Sequence, residues 1–259
     1  LRTVSYYALA SFAICLLLAL SVGFAFTLAG VSATENPDSA ENALYLFGYI
    51  LLAAVFIIFV LKFYKGSKLF LLLELLINFI SVQLLAILFV DEMGALVLGA
   101  FSIAIRLLVP ASRNLWLILT AGVVGALLGS SLGIMPAVLL AVLLSGYDYY
   151  AVFISKHMVQ MAEQLQARQA AFAVSLRYQK EALHLGTGDL VIPSMLAVSA
   201  LKLAPYPIGL GAGLATAFGC VTGLALLIYH MEKRKGYWPA LPPVVGLGLA
   251  GLVAYSLLP

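Results

Sequence analysis

The residues from Leu183 to Lys202 read LHLGTGDLVIPSMLAVSALK, an apolar run with a single acid, Asp189, set inside it. A helix that crosses a bilayer needs about 20 mostly apolar residues, and this stretch supplies them. The rest of the chain has the same character. Of 259 residues, 64% are hydrophobic and 10% are charged, and the mean hydropathy is +1.10. A soluble domain cannot cover its surface with so few charges. In lipid every backbone polar group must be satisfied internally, which leaves helices or closed barrels. Apolar runs of this length read as helices, so the chain is predicted to be an all-α membrane protein.

Reading the runs between charges and Pro or Gly breaks predicts nine transmembrane helices, near 6–29, 43–63, 69–90, 94–109, 115–134, 136–155, 183–202, 206–230 and 240–259. They form one integral membrane domain in three stretches: residues 1–155 with six spans, a loop at 156–182, and residues 183–259 with three spans. Cytoplasmic loops collect Lys and Arg. With nine spans, one side receives Arg2, Lys62, Lys65, Lys68, Arg106, Arg113, Lys156, Arg168, Arg177, Lys180, Lys233, Arg234 and Lys235, and the other only Lys202. The opposite loops hold Glu35, Asp38, Glu41, Asp91 and Glu92. The protein is therefore placed in the cell membrane with its N-terminus cytoplasmic and its C-terminus external. The 156–182 loop is cytoplasmic, and its beginning reads as a helical continuation of the sixth span. The first run is too long for the core of a signal peptide and is kept as a helix.

The net charge of +3 is accounted for by this topology, which removes nucleic acid as a partner. Cys15 and Cys220 each stand alone in an apolar run, away from any CxxC or clustered His, so neither a metal site, a cofactor nor a disulfide framework is expected.

Three acids remain inside spans: Glu74, Asp148 and Asp189. Such groups are costly in lipid and mark function by default. Glu74 follows Lys68 by six residues, roughly 9 Å along a helix, and Asn78 lies one turn further on the same face. That pattern suggests polar glue between helices, with a proton or substrate role as the other reading. Asp148 precedes Lys156 by eight residues, and Asp189 follows Glu181 by eight. Each carboxyl should thus sit roughly 12 Å inside the cytoplasmic boundary, on antiparallel helices adjacent in sequence. Two carboxyls that face each other cannot both ionise cheaply and share one proton, with one acting as acid and the other as base toward water.

The surrounding residues are Tyr147-Asp148, Gly186-Thr187-Gly188-Asp189 and Pro239-Ala240-Leu241-Pro242. In that order, on the sixth, seventh and ninth spans, they resemble the YD, GxGD and PAL motifs of the presenilin and signal peptide peptidase family of intramembrane aspartyl proteases, most closely the archaeal presenilin homologues. The resemblance covers essentially the whole chain. It implies a presenilin-like fold, Asp148 and Asp189 as the catalytic residues, and Tyr147, Gly186, Gly188, Pro239, Ala240 and Leu241 as the residues that engage substrate. The implied partner is a transmembrane helix of a substrate protein in the bilayer. The short loop before the seventh span departs from presenilins, which carry a long one that is cut on maturation, and an intact active chain is expected. A cytoplasmic N-terminus matches presenilin and implies type I substrates.

Gly186 and Gly188 also suggest unusual backbone angles and room beside Asp189. Pro239, Pro242 and Pro243 remove backbone donors and should leave irregular backbone at the same side. Gly209, Gly211, Gly213, Gly246, Gly248 and Gly251 would let the late helices approach closely. Two other functions fit part of the pattern. An ion-coupled transporter or cation leak channel explains buried acids but not the three motifs together. A prepilin peptidase is disfavoured by the missing CxxC domain.

Overall fold

The computed structural model describes residues 2–64, 66–155, 173–178, 181–233 and 238–257. Nine α-helices lie among them: α1 Arg2–Ala29, α2 Ala40–Phe63, α3 Lys68–Ala86, α4 Glu92–Leu108, α5 Arg113–Ser131, α6 Ile134–Tyr149, α7 Thr187–Ala200, α8 Ile208–Lys233 and α9 Leu241–Ser256. Local chemistry sets several starts. The Ser39 side chain accepts from the Glu41 N–H before α2, and Asp91 accepts from the Gly94 N–H before α4. A single π-helical turn, Tyr150–Ile154, continues α6.

Six segments are long and apolar enough to cross a membrane: Val4–Ala29, Ala40–Phe63, Lys68–Ala86, Pro110–Ser131, Ile134–Ile154 and Ile208–Lys233. Helices α4, α7 and α9 are shorter. Helix α7, with 14 residues, rises only about 21 Å, less than the hydrocarbon thickness. It tolerates this because it packs against α1, α5, α6, α8 and α9, so its ends meet protein. Every residue from Ile192 to Ala200 is buried. Two apolar clusters share this helix. Leu190, Ala197 and Val198 join Phe12, Cys15 and Phe26 of α1 and Val123 of α5. Ile192, Met195 and Leu196 join Leu140 and Leu144 of α6 and Val245 of α9.

Lipid is as apolar as leucine, so close backbone packing has to hold such helices together. A Cβ added at Gly125 of α5 would come 3.0 Å from the Val191 carbonyl oxygen, and one at Gly129 2.6 Å from that of Met195. The later helices follow the same rule. A Cβ at Gly213 would lie 3.0 Å from the Ala197 carbonyl oxygen, and one at Gly248 2.5 Å from Cys220 Sγ, whereas one at Gly246 meets nothing within 4 Å.

Two expectations change. The seventh span does not begin at residue 183. Residues 181–186 form a strand, β2, paired antiparallel with β1, Ala173–Tyr178, in the register Ala173↔Gly186 to Tyr178↔Glu181. The loop between α6 and α7 therefore contains a hairpin, and the helix starts only at Thr187. Val174 and Leu185 face each other in this ladder and are both buried in the α1 and α5 cluster, which anchors the hairpin to the bundle. The expected helical continuation of the sixth span falls in residues 156–172, outside the described residues.

The second change concerns cations. Arg106, counted with the cytoplasmic loops, is 8% exposed and lies in the last turn of α4, facing α3. Lys202, the exception on the opposite side, has a structural task. Its Nζ donates to the carbonyls of Ser130 and, at 3.0 Å, Leu132, at the C-terminal end of α5. A cation there satisfies orphan carbonyls and complements the helix dipole.

Candidate active site

Asp148 is the penultimate residue of α6 and is only 4% exposed. Burial of a carboxyl requires donors, and a different helix supplies them. Its Oδ2 accepts the backbone N–H of Leu241 at 3.1 Å, and the Ala240 N–H is a second partner. Leu241 is the first residue of α9. The first four N–H groups of any helix have no internal acceptor, and Pro242 and Pro243 bring none. The few donors left at this helix start are thus turned onto Asp148. A carboxylate at a helix N-terminus also gains from the dipole.

Asp189 is held differently. It is the third residue of α7, whose N-cap is Gly186, and its carboxyl takes the backbone N–H of Gly186. This is the backward half of a capping box, an acid in the first turn closing on the N-cap donor. Asp189 is partly exposed, and Asp148 is the charged neighbour that acts on it electrostatically. The two acids are therefore near enough to act on each other electrostatically, and each is bonded by backbone at the start of a helix. Among the described residues neither carries an ion pair.

The glycines have a plainer role than expected. Gly186 sits at φ −62°, ψ 145°, an extended conformation open to any residue. What it provides is space, since a Cβ there would stand 3.0 Å from Asp189 Oδ2. A Cβ at Gly188 would meet nothing within 4 Å, and Gly188 is exposed, so the chain itself does not require a glycine there. Tyr147 is half-buried beside Asp148. The irregular backbone expected from the prolines is not what forms. Ala240, the N-cap of α9, has helical angles (φ −87°, ψ −36°), and Pro242 and Pro243 sit in the first helical turn, where a missing N–H costs nothing. Only Pro239 stands clear of the helix, two residues before the Leu241 N–H that reaches Asp148.

Two features of the site were not singled out in the sequence. Pro193 lies inside α7, four residues after Asp189. A proline has no N–H, so the Asp189 carbonyl loses its helical partner and stays open to another donor. The spacing GDxxxP is a visible signal for this. The other feature is a chain of rings. Tyr149 and Phe153 lie 5.1 Å apart between centroids, Phe153 and Trp238 5.6 Å, and Trp238 and His230 4.6 Å, all edge to face. Trp238 precedes Pro239 directly, so the rings tie the Pro239–Leu241 segment to the π-helical turn that follows Asp148.

With this geometry in hand, the sequence was compared with known proteins. Residues 9–171 match the family described as signal-peptide peptidase, presenilin aspartyl protease. The chain belongs to that family. The match includes Asp148 and ends before Asp189. Two solved structures of a presenilin family intramembrane aspartate protease share the fold. One, in space group C222, has a TM-score of 0.72 and 24% identity, and the alignment covers 96% of this chain and 98% of that one. The other, in space group P2, has a TM-score of 0.66 and 25% identity, covering 95% and 96%. No match was found among curated proteins. Family membership and apolar helices together make this chain a membrane-embedded aspartyl protease with a presenilin-like, nearly all-helical fold.

Proposed function

We propose that Asp148 and Asp189 are the catalytic dyad of a GxGD-type intramembrane aspartic endopeptidase that hydrolyses peptide bonds within transmembrane helices. The observation that carries this reading is the bond from the Leu241 N–H to Asp148 at 3.1 Å, which joins the electrostatic neighbour of Asp189 to the start of α9. Neutral backbone donors hold the carboxyls in place without consuming their acid–base chemistry, as a guanidinium would. The pair shares a proton. The ionised member takes a proton from water as its oxygen attacks the scissile carbonyl, and the protonated member donates to that carbonyl oxygen. Collapse of the tetrahedral intermediate returns a proton to the leaving amine and restores the dyad. The two titrations belong to the pair.

A substrate helix has its own backbone bonds closed and must unwind locally before water can attack. Among the described residues β1 and β2 form a two-stranded sheet, and β2 runs straight into Gly186 and Asp189. An extended substrate segment adds alongside this sheet as a further strand, between Gly186–Gly188 on one side and Pro239–Leu241 on the other. The open space over Gly188 and the unpartnered helical position of the Asp189 carbonyl suit such a strand. Tyr147, next to Asp148 in the chain, is assigned to substrate contact on the resemblance of the Tyr147-Asp148 pair to the family motif. The Lys and Arg partition puts the N-terminus in the cytoplasm and the C-terminus outside, with type I substrates as the corresponding class.

The deciding experiment incubates the purified protein in liposomes with a single-span substrate, alongside Asp148→Asn and Asp189→Asn. Both substitutions are expected to abolish cleavage. Cleavage that survives either one refutes the dyad, and ion flux that depends on these acids without proteolysis assigns the chain to transport instead.

A further inference from the structure

Glu74 is the buried acid that the active site leaves unused. Its Oε1 accepts from Arg106 Nε at 2.9 Å and Nη2 at 2.7 Å, and its Oε2 lies 3.2 Å from Arg113 Nη2. One carboxylate thus faces two guanidiniums, a net charge of +1 between α3, α4 and α5. Beside this triad lies a cavity of about 180 Å³. Its walls are mostly apolar, from Ile77, Leu117, Val124 and Val191, with Arg106 and Asn78 among the polar groups. Asn78 is 3% exposed. Its Nδ2 donates to Ser102 Oγ at 3.4 Å, and the Ser102 hydroxyl is committed to the Gly99 carbonyl at 2.7 Å. Asn78 Oδ1 has no partner among the described residues. A buried amide oxygen left in that state is costly, and native structures rarely keep one without an occupant to serve it.

The cavity also has a position that matters. Thr187 and Val191 line it from α7. These two residues share one helix face, whereas Asp189, two positions from Thr187, points about 200° away from it. The cavity therefore lies directly behind the helix that carries Asp189.

We propose that this cavity binds a small apolar molecule bearing one hydroxyl, of about the size of phenol, and that its occupancy modulates cleavage by bracing the back of α7. Size sets the body, since a 150 Å³ apolar cavity accepts benzene. Chemistry sets the head. A hydroxyl accepts from the Arg106 guanidinium and donates to Asn78 Oδ1, and because it can do both it also serves the opposite orientation of the amide. A hydrocarbon leaves the oxygen unserved, and so does an ionised acid, which only accepts hydrogen bonds. The regulatory half rests on the dyad reading, while binding does not.

The test uses 4-fluorophenol as probe and 4-fluorotoluene as its counterpart without the hydroxyl, followed by ¹⁹F NMR on the reconstituted full chain. Saturable binding is expected for the phenol, at least tenfold weaker binding for the toluene, and retained binding in Asp189→Asn. Val124→Phe, which fills the cavity, and Asn78→Leu, which removes the amide at similar volume, should each abolish saturation. Two variants are used so that a folding defect in one does not decide the result. Equal, unsaturable partitioning of both probes, in the native protein and both variants, overturns the site and leaves only membrane uptake or water. In the cleavage assay the phenol should change kcat at least threefold with KM unchanged, and Val124→Phe should remove that response. Binding without a change in kcat overturns the regulatory role. Binding by a protein that cleaves nothing refutes the dyad and not the site.

Discussion

The molecule buries acids in two places and treats them in opposite ways. Around Glu74 every carboxylate oxygen faces a guanidinium, from Arg106 or Arg113. Around Asp148 and Asp189 the partners are the backbone N–H groups of Leu241, Ala240 and Gly186, together with the other acid. A carboxylate whose oxygens are both taken by guanidiniums is committed to that ion-pair network and turns neither oxygen toward a water or a substrate. A pair held by neutral donors keeps a mobile proton. The surroundings, more than the presence of an acid in the membrane, separate a structural group from a chemical one.

That contrast can be broken at either end. The largest expected effect is on rate: Asp148→Asn or Asp189→Asn should lower cleavage by about 10⁴-fold or more, because members of a catalytic unit fail together. Thermal stability should be unchanged or slightly raised, since a buried carboxyl without a cation contributes little to the fold. A marked drop in melting temperature would assign the pair a structural role. Next is Glu74→Ala, which leaves two guanidiniums uncompensated and should cost about 3–5 kcal/mol of stability, seen as a fall in Tm. Cleavage by the folded fraction should stay within about tenfold of the native rate. Joint replacement of Glu74, Arg106 and Arg113 by apolar residues of similar volume should recover much of the lost stability, because a buried ionic triad can often be exchanged for apolar packing without penalty.

Smaller effects probe the frame of the dyad. Trp238→Ala removes the ring that links Phe153 and His230 and should lower kcat about tenfold with little change in KM, whereas Trp238→Phe retains most of the rate. An equal loss in both variants, or a loss confined to KM, would argue against the ring chain as a positioning device. Gly186→Ala places a methyl 3.0 Å from Asp189 Oδ2 and should cost several-fold in kcat. Gly188→Ala should leave stability untouched and act, if at all, through KM, because the space around it is empty of protein.

Much of this contrast was legible in the sequence. Counting residues from Lys156 and Glu181 picked out Asp148 and Asp189 as a pair, but the equal depth it assumed for them needed continuous helix, whereas residues 181–186 are the strand β2 and Asp189 is only the third residue of α7. The partner of Glu74 was not legible. Arg106 is 32 positions away, and a charge near a helix end reads as a loop signal until the tertiary fold turns it inward. The hairpin had a readable trace, the alternation of Val174, Leu176 and Tyr178 with Ser175 and Arg177, but a short polar connection between two long apolar runs reads as loop, and the apolar residues from Leu183 onward read as part of the next span. The bond from Leu241 to Asp148 lies beyond any pattern argument, since it joins residues 93 positions apart. The prolines at 242 and 243 showed which donors were missing, not where the remaining ones would point.

The measurement that bears most directly on the shared proton is the pH dependence of kcat/KM for a single-span substrate in liposomes, taken for the native protein and for Glu74→Gln. Two coupled carboxyls give a bell with one limb for each titration, and both limbs should persist when Glu74 is neutralised. A monotonic profile, or a limb that disappears in Glu74→Gln, would contradict the assignment of Asp148 and Asp189 as the working pair.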